Sequence, residues 1–506
     1  MGPDCLVQGT QYKIQVEKLT IFRGVNTDMP FAYSGLQKYG KIAYVDSWND
    51  GVSEEKVIQE ITEHFLYCNI LEYVDIYEDM EKIHLEDYCA VVLPAMIDEV
   101  YLYRFKGKIR AYLDNGGVIF SFMQNFTKIL PGNAGYIASP MAIKDREVCF
   151  TESESSKCIF DGVKEYDVNF RRGVKGFFNR GYFELDDFSE EQKPEIILED
   201  NDGKCVAYVD RNSTNGIILA TAASDLISFG AYENTTARRM GPNLLYWLEK
   251  ELSQKDYQAL RKECKYRNTE LNTQTVFDYG KPKDSLSKLK KAVITGGIAF
   301  HQKFFQNKGG KYADFFTTRV YAAEMEDFCF EDYDYVVMAS NLNARFLIPY
   351  KEKILTYLKN GGHIVSLGDS MKEYLPNIKW QSYPTNFWWW RMEGADLPLY
   401  AVESLEEGKI EVKQPERTRE GLFGKIDVGV AKWHYHGAFY PPAQSEIILV
   451  NELDEAIIYK DMSFKGNLYV MSLDPDYHIG QGFMPTTEPF FDGLMDWIEE
   501  DILAGR

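Results

Sequence analysis

The chain has no Cys-x-x-Cys pair. Its eight cysteines, at 5, 68, 89, 149, 158, 205, 264 and 329, are scattered over 506 residues. In a chain this long that spacing excludes a disulfide framework and predicts reduced, mostly buried thiols in a cytoplasmic setting. No apolar run reaches the ~18 residues needed to span a bilayer. The opening MGPDCLVQGTQYKIQ lacks the basic segment followed by an apolar one that marks a secretory signal. Positive charge is also short. Lys and Arg number 56 against 77 Asp and Glu, a net charge of −21. An acidic surface repels phosphate backbones, which excludes nucleic acid and anionic membranes as main partners and otherwise serves solubility.

What is present is core-forming material. The chain is 45% apolar and 14% aromatic, too ordered for disorder and too long for one core, so two domains of roughly 200–250 residues are expected. Residues 1–40 read as an N-terminal extension, with a strand over 12–22 and loop from 24 to 40. From residue 41 short apolar strands alternate with helices: strands at 41–48, 70–77, 88–94 and 118–122, helices over 53–68 and 105–114. The second helix stops at Asn115-Gly116-Gly117, where glycine takes the left-handed conformation. This alternation predicts a mainly parallel sheet covered on both faces. Short strands then follow at 195–198, 205–209 and 216–221, with a closing amphipathic helix at 243–252. Residues 253–288 read as a charged helical linker.

From residue 289 the programme repeats. YDYVVMA matches YCAVVLPA, KEKILTYLKNGG matches KGKIRAYLDNGG, SEIIL matches PEIIL, and GLMDWIEEDI matches NLLYWLEKEL. The Asn-Gly-Gly motifs lie 245 residues apart and the closing tryptophans, Trp247 and Trp497, 250 apart. Landmarks in one order at a nearly constant offset indicate tandem duplication, with a period too long for a solenoid. The run over 432–442, KWHYHGAFYPP, has an echo 256 residues earlier in GFFNRGYFEL. Aligning Gly437 with Gly181 sets His434 against Phe178 and His436 against Arg180.

The order of VVLP strand, NGG helix end, HxHGxFxPP, SLDPDYH and a final Trp-containing helix resembles the class I glutamine amidotransferase-like superfamily. More narrowly it resembles the trehalose-utilisation (ThuA)-like branch and the trimerisation domains of β-galactosidases. The resemblance implies an α/β chain of two tandem flavodoxin-like doubly wound domains, residues 41–252 and 289–506, with mainly parallel sheets. Amidotransferases of this superfamily carry a cysteine nucleophile on the turn after a central strand. The matching turns here are Phe122-Met123-Gln124 and Leu367-Gly368-Asp369, and neither has one. A thiolate needs such a placement to be exposed and stabilised, so glutaminase chemistry is not expected.

Several residues carry candidate chemistry, each with a structural alternative. His434 and His436, spaced i, i+2, would share one strand face and offer two imidazoles to a metal. With Asp474 and His478 they would form a cluster for metal-assisted hydrolysis; alternatively they hold loops over the sheet edge. Ser370 stands at the elbow, as a nucleophile with His436 or His478 as base or as a helix N-cap, but lacks the G-x-S-x-G context. Trp388, Trp389 and Trp390, with Trp380 and Tyr383 nearby, offer a stacking platform for a sugar, with Arg391 and Asp369 as polar anchors, or else pack a core or interface. Thr295-Gly296-Gly297 offers its backbone to an anion, and Asn307–Gly310 reads as a turn.

The sequence therefore predicts a cytoplasmic tandem amidotransferase-like protein that binds a small polar ligand, such as a carbohydrate, or serves as an assembly module. The first repeat would be structural and the second would carry any pocket. A hydrolase using the histidine cluster and a purely structural homo-oligomer are the alternatives. No cofactor is predicted.

Overall fold

The computed structural model describes residues 35–47, 70–132, 135–171, 174–176, 178–186, 188–223, 236–254, 288–305, 311–368, 373–382, 398–403, 409–410, 412–433, 435, 437–482 and 487–505. The predicted strand at 12–22, the helix at 53–68, the Asn307–Gly310 turn and nearly all of the linker lie outside the described residues. The described residues fall into two compact units, one ending at residue 254 and one beginning at 288.

In the first unit the strands of the main sheet are β1 (Lys41–Asp46), β2 (Leu71–Asp75), β3 (Tyr88–Leu93), β4 (Val118–Ser121), β5 (Tyr136–Ala138), β6 (Val148–Phe150), β7 (Gly181–Phe183), β8 (Glu195–Asp200), β9 (Cys205–Asp210) and β10 (Ile217–Thr221). The helices used below are α1 (Glu99–Tyr103), α2 (Lys106–Asp114) and α3 (Met240–Gln254). The sheet runs β2-β1-β3-β4-β10-β9-β8-β6, with β7 pairing β9 and β5. Pairs from β2 to β10 are parallel. Counted within that parallel core the order is 2-1-3-4-5, the flavodoxin-like order. The strands β3, β4 and β10 are buried throughout, as sheets covered on both faces require.

The second unit repeats this plan with β11 (Lys291–Thr295), β12 (Thr318–Tyr321), β13 (Tyr335–Met338), β14 (His363–Ser366), β15 (Trp380–Ser382), β16 (Tyr400–Glu403), β17 (Val412–Gln414), β18 (Gly437–Phe439), β19 (Ser445–Val450), β20 (Ala456–Asp461) and β21 (Leu468–Met471). Its helices include α4 (Ala299–Phe305), α5 (Ala344–Leu347), α6 (Lys351–Asn360), α7 (Pro475–Gln481) and α8 (Thr487–Leu503). The order is β12-β11-β13-β14-β21-β20-β19-β16-β17, with β18 pairing β15 and β20. Here too the first five strands are parallel. The fold is thus α/β with two flavodoxin-like domains. Each parallel core continues into an antiparallel extension that the alternating pattern did not distinguish from it.

The repeated sequence motifs have repeated physical causes. Gly116 and Gly361 end their helices at φ of 86° and 104°, where a Cβ is strained. The next glycines, Gly117 and Gly362, lie under the rings of Tyr112 and Tyr357, which a side chain would strike. The Tyr112 hydroxyl bonds the carbonyls of Tyr88 and Val118, and that of Tyr357 the carbonyl of Tyr333. The closing helices bury Trp247 and Trp497.

The thiols differ in part from expectation. Cys89 and Cys205 are buried, but Cys149 and Cys158 are half-buried and Cys329 is exposed. Cys329 lies between Phe328 and Phe330, whose rings take the core-facing positions, and its thiol turns outward to bond Glu331. Among the described residues, no helix is long and apolar enough to cross a membrane.

Candidate functional site

In the second unit β11 has neighbours on both sides, β12 and β13, so the connections leaving β11 and β13 diverge at its carboxyl edge. Ligand crevices of open α/β sheets lie at such a switch point. Four segments deliver polar groups there. The turn after β11 leads through Gly296 into α4, which carries His301 and Gln302. Ser340 follows β13. Gly368 follows β14. Asp474, Asp476 and His478 follow β21, the last two on α7.

These groups are covered. His301, Gln302, Ser340, Asp476 and His478 are fully buried and Asp474 nearly so. Asp476 Oδ2 accepts the Ser340 backbone N–H at 2.9 Å and lies 3.6 Å from His301 Nε2. The opposite ring nitrogen, His301 Nδ1, accepts the Gly296 N–H at 3.0 Å. That bond places the proton of the neutral imidazole on Nε2, facing Asp476. It also spends the Gly296 N–H, so that amide of the Thr295-Gly296-Gly297 run is taken by His301 rather than offered to an anion.

Burial drives both ionisable groups toward neutrality. It lowers His301 from 6.5 to about 4, only partly offset by the Ser340 backbone. It raises Asp476 from 3.8 to about 6, opposed by the Ser340 N–H and reinforced by the charge of Asp474. His301 Nε2, Gln302 Oε1 and Asp476 Oδ1 have no hydrogen-bond partner among the described residues.

A second polar group adjoins this one. His478 Nε2 lies 3.2 Å from Asp474 Oδ1, and the same oxygen accepts the indole N–H of Trp433 at 3.2 Å. Trp433, from the KWHYHGAFYPP run, is buried and packs edge-on against Phe490 of α8. Gly368 adopts φ of 78°, and a side chain there would press on Ser340 at 2.6 Å. Of the predicted site residues, the structure therefore joins Asp474 to His478. His434, His436, Asp369, Ser370, Trp388, Trp389, Trp390 and Arg391 lie outside the described residues, as does Tyr383. Trp380 belongs to β15 and packs on Phe439 with ring centroids 4.8 Å apart, a packing role rather than an open platform. Among the described residues, no cluster of three or more His, Cys, Asp or Glu is arranged to hold a metal.

The sequence reading missed His301, Ser340 and Asp476. Asp476 stood in view, two residues past Asp474 in SLDPDYH, and His301 is one of only seven histidines, five residues beyond Gly296. Their meeting depends on α4 packing against α7, where Gly480 lies close under the Phe300 carbonyl; no local pattern encodes that.

No family model matches the chain, and no curated protein matches it. Among solved structures, partial likeness extends to a glutamine amidotransferase from Thermotoga maritima, at 11% identity over 43% of this chain and 96% of that one, with a TM-score of 0.26. The exo-β-1,4-mannosidase Op5Man5 from Opitutaceae bacterium strain TAV5 matches at 7% identity over 50% of this chain and 39% of its own, with a TM-score of 0.23. The β-galactosidase of the Antarctic haloarchaeon Halorubrum lacusprofundi matches at 9% identity over 87% and 56%, with a TM-score of 0.19.

Proposed function

We propose that the second unit binds a small neutral polyhydroxylated ligand, of carbohydrate type, at the carboxyl edge of its sheet, without glutaminase chemistry. The carrying observation is a set of buried atoms without a hydrogen bond: Gln302 Oε1, Asp476 Oδ1 and His301 Nε2, the last only within ion-pair distance of Asp476 Oδ2 at 3.6 Å. Each such atom costs about 1–3 kcal/mol when buried unpaired. The set mixes a donor with two acceptors. A hydroxyl both donates and accepts and suits that mixture, whereas an anion would face the Asp476 carboxylate. These atoms are covered, so binding requires α4 and α7 to part. Four of the described cysteines argue against thiolate chemistry. Burial pushes the thiols of Cys149, Cys158 and Cys205 up, and a hydrogen bond to Glu331 does the same for Cys329.

A thermal-shift series with neutral sugars, polyols and sugar acids tests this reading. Neutral sugars are expected to raise the melting temperature of the native protein and not of Asp476→Asn. A flat response to every neutral sugar, or an equal response in the variant, overturns it.

The Asp474–His478 contact favours a second reading, a carbohydrate-processing or metal-assisted hydrolase that adds His434 and His436 to that pair. Metal analysis after gentle purification separates the two: stoichiometric bound metal supports the hydrolase, and its absence removes the metal mechanism.

A further inference from the structure

At the first position of α1 the first unit has Glu99, where the aligned residue of the second unit is Ala344. Asp98 caps α1, accepting the Tyr101 N–H at 2.9 Å, and the next side chain, Glu99, turns into the protein with only 1% of its surface exposed. Both of its oxygens accept the Phe126 N–H, at 3.1 and 3.2 Å, and Oε2 also accepts the Thr127 N–H at 3.0 Å. Among the described residues, Glu99 forms no ion pair with lysine or arginine. Phe126 and Thr127 stand just past the carboxyl end of β4, on the loop that begins with Phe122-Met123-Gln124. That loop is itself pinned. Gln124 donates to the Ala222 carbonyl at 2.9 Å, and Asn125 donates to the Thr127 carbonyl at 3.2 Å.

We propose that the Phe126 and Thr127 N–H groups form a carboxylate-binding site at the carboxyl edge of the first sheet, and that Glu99 fills it as a built-in ligand. Two successive backbone N–H groups turned to one anion make a concavity that needs no cation. The occupant is visible on it, held from a helix cap on the neighbouring strand connection. Burial pushes the Glu99 carboxyl up to about 8, opposed by those same N–H groups and by the Thr127 side chain. At the equivalent place, 245 residues on, the second unit has Ala344 at the start of α5, following a cap by Asn343. The first unit thus closes its own carboxyl edge with a side chain.

Shortening the side chain tests the site, because a small carboxylic acid should then replace it. Glu99→Ala is expected to melt below the native protein. At mildly acidic pH, formate and acetate should raise its melting temperature saturably by about 2–4 °C, the shift that ~1 kcal/mol gives in a domain of this size. Chloride at matched ionic strength should not, and neither the native protein nor Glu99→Gln should respond. A folded Glu99→Ala protein that ignores both acids, or an equal response in the native protein, overturns the proposal. Should Glu99→Ala fail to fold, amide hydrogen exchange in the native protein decides. The Phe126 and Thr127 amides are expected to be strongly protected, and exchange at open-loop rates overturns the proposal.

Discussion

Gly437 lies against the indole of Trp380 so closely that no Cβ fits between them. The first unit repeats the relationship, with Gly181 against the ring of Tyr136. The registers coincide: Trp380 pairs with Phe439 and Ser382 with Gly437, as Tyr136 pairs with Phe183 and Ala138 with Gly181. An aromatic residue thus folds across the glycine two positions along the partner strand. The G-x-F element of KWHYHGAFYPP is therefore a packing device of the fold, independent of the histidines before it. Substituting Gly437→Ala or Gly181→Ala would drive a methyl into the ring and into a backbone carbonyl, that of Gln381 or Ile137. Each is expected to cost about 1–3 kcal/mol or more, read from urea midpoints. Unchanged midpoints would show that the strand shifts freely.

The His301–Asp476 pair gives a second expectation, in pH. Asp476 has its carboxyl raised from 3.8 to about 6. The folded state therefore holds that proton more tightly, and stability falls as pH rises from about 4 to about 6. His301 is lowered from 6.5 to about 4. Here the unfolded state takes the proton first, so stability rises with pH between about 4 and 6.5. The two slopes oppose each other. Asp476→Asn should unmask the histidine and give a melting temperature that climbs across this window more steeply than that of the native protein. Parallel pH profiles for the two proteins would contradict the assignment.

Much of this architecture is legible in the sequence because its causes are local. The Asn-Gly-Gly stops are readable because Gly116 and Gly361 need left-handed backbone and Gly117 and Gly362 sit under a tyrosine five residues earlier. Asp474 and His478 are readable as a pair because i, i+4 spacing at the start of a helix brings them together. The antiparallel extensions are less legible. A buried strand such as β9 or β20 reads as the same apolar run whether its neighbour is parallel or antiparallel. His301 and Asp476 meet across 175 residues, and Glu99 reaches a loop 27 residues away. Such contacts are set by strand order and helix packing, which no short window contains.

The Trp433–Asp474 bond can be weighed separately from its packing. Trp433→Phe keeps an aromatic ring against Phe490 but removes the donor to Asp474; a cost of about 1–3 kcal/mol is expected. Asp474→Ala removes the acceptor of Trp433 and the carboxylate 3.2 Å from His478 Nε2, and should cost about 1–3 kcal/mol. In the double variant the two losses should fall short of additivity by about 0.5–3 kcal/mol, the coupling of groups in one network. Strict additivity in a denaturant cycle would mean that Trp433 acts by packing alone.

A buried cation joins the closing helix of the second unit to its sheet. Lys460 of β20 is 4% exposed and lies 3.2 Å from Asp501 of α8 and 2.6 Å from Glu446 of β19. Asp501 also accepts the Tyr469 hydroxyl at 2.6 Å. Lys460 ties the antiparallel extension to the closing helix, and its two carboxylate partners have different escape routes. Glu446 is 43% exposed and can turn to water, whereas Asp501 is 6% exposed. Removing Asp501 strands Lys460 beside a single, partly solvated carboxylate. Asp501→Ala is therefore expected to cost about 3–5 kcal/mol. Asp501→Asn, which keeps an acceptor for Tyr469, should cost less. Combining Lys460→Met with Asp501→Leu removes both charges and refills the space, and should recover most of the loss, because apolar replacements of a buried pair are often neutral or stabilising. Urea midpoints for the four proteins decide the matter. A double variant as unstable as Asp501→Ala would show that the pair's hydrogen bonds to Tyr469 and Asn467, rather than charge compensation, hold α8 to the sheet.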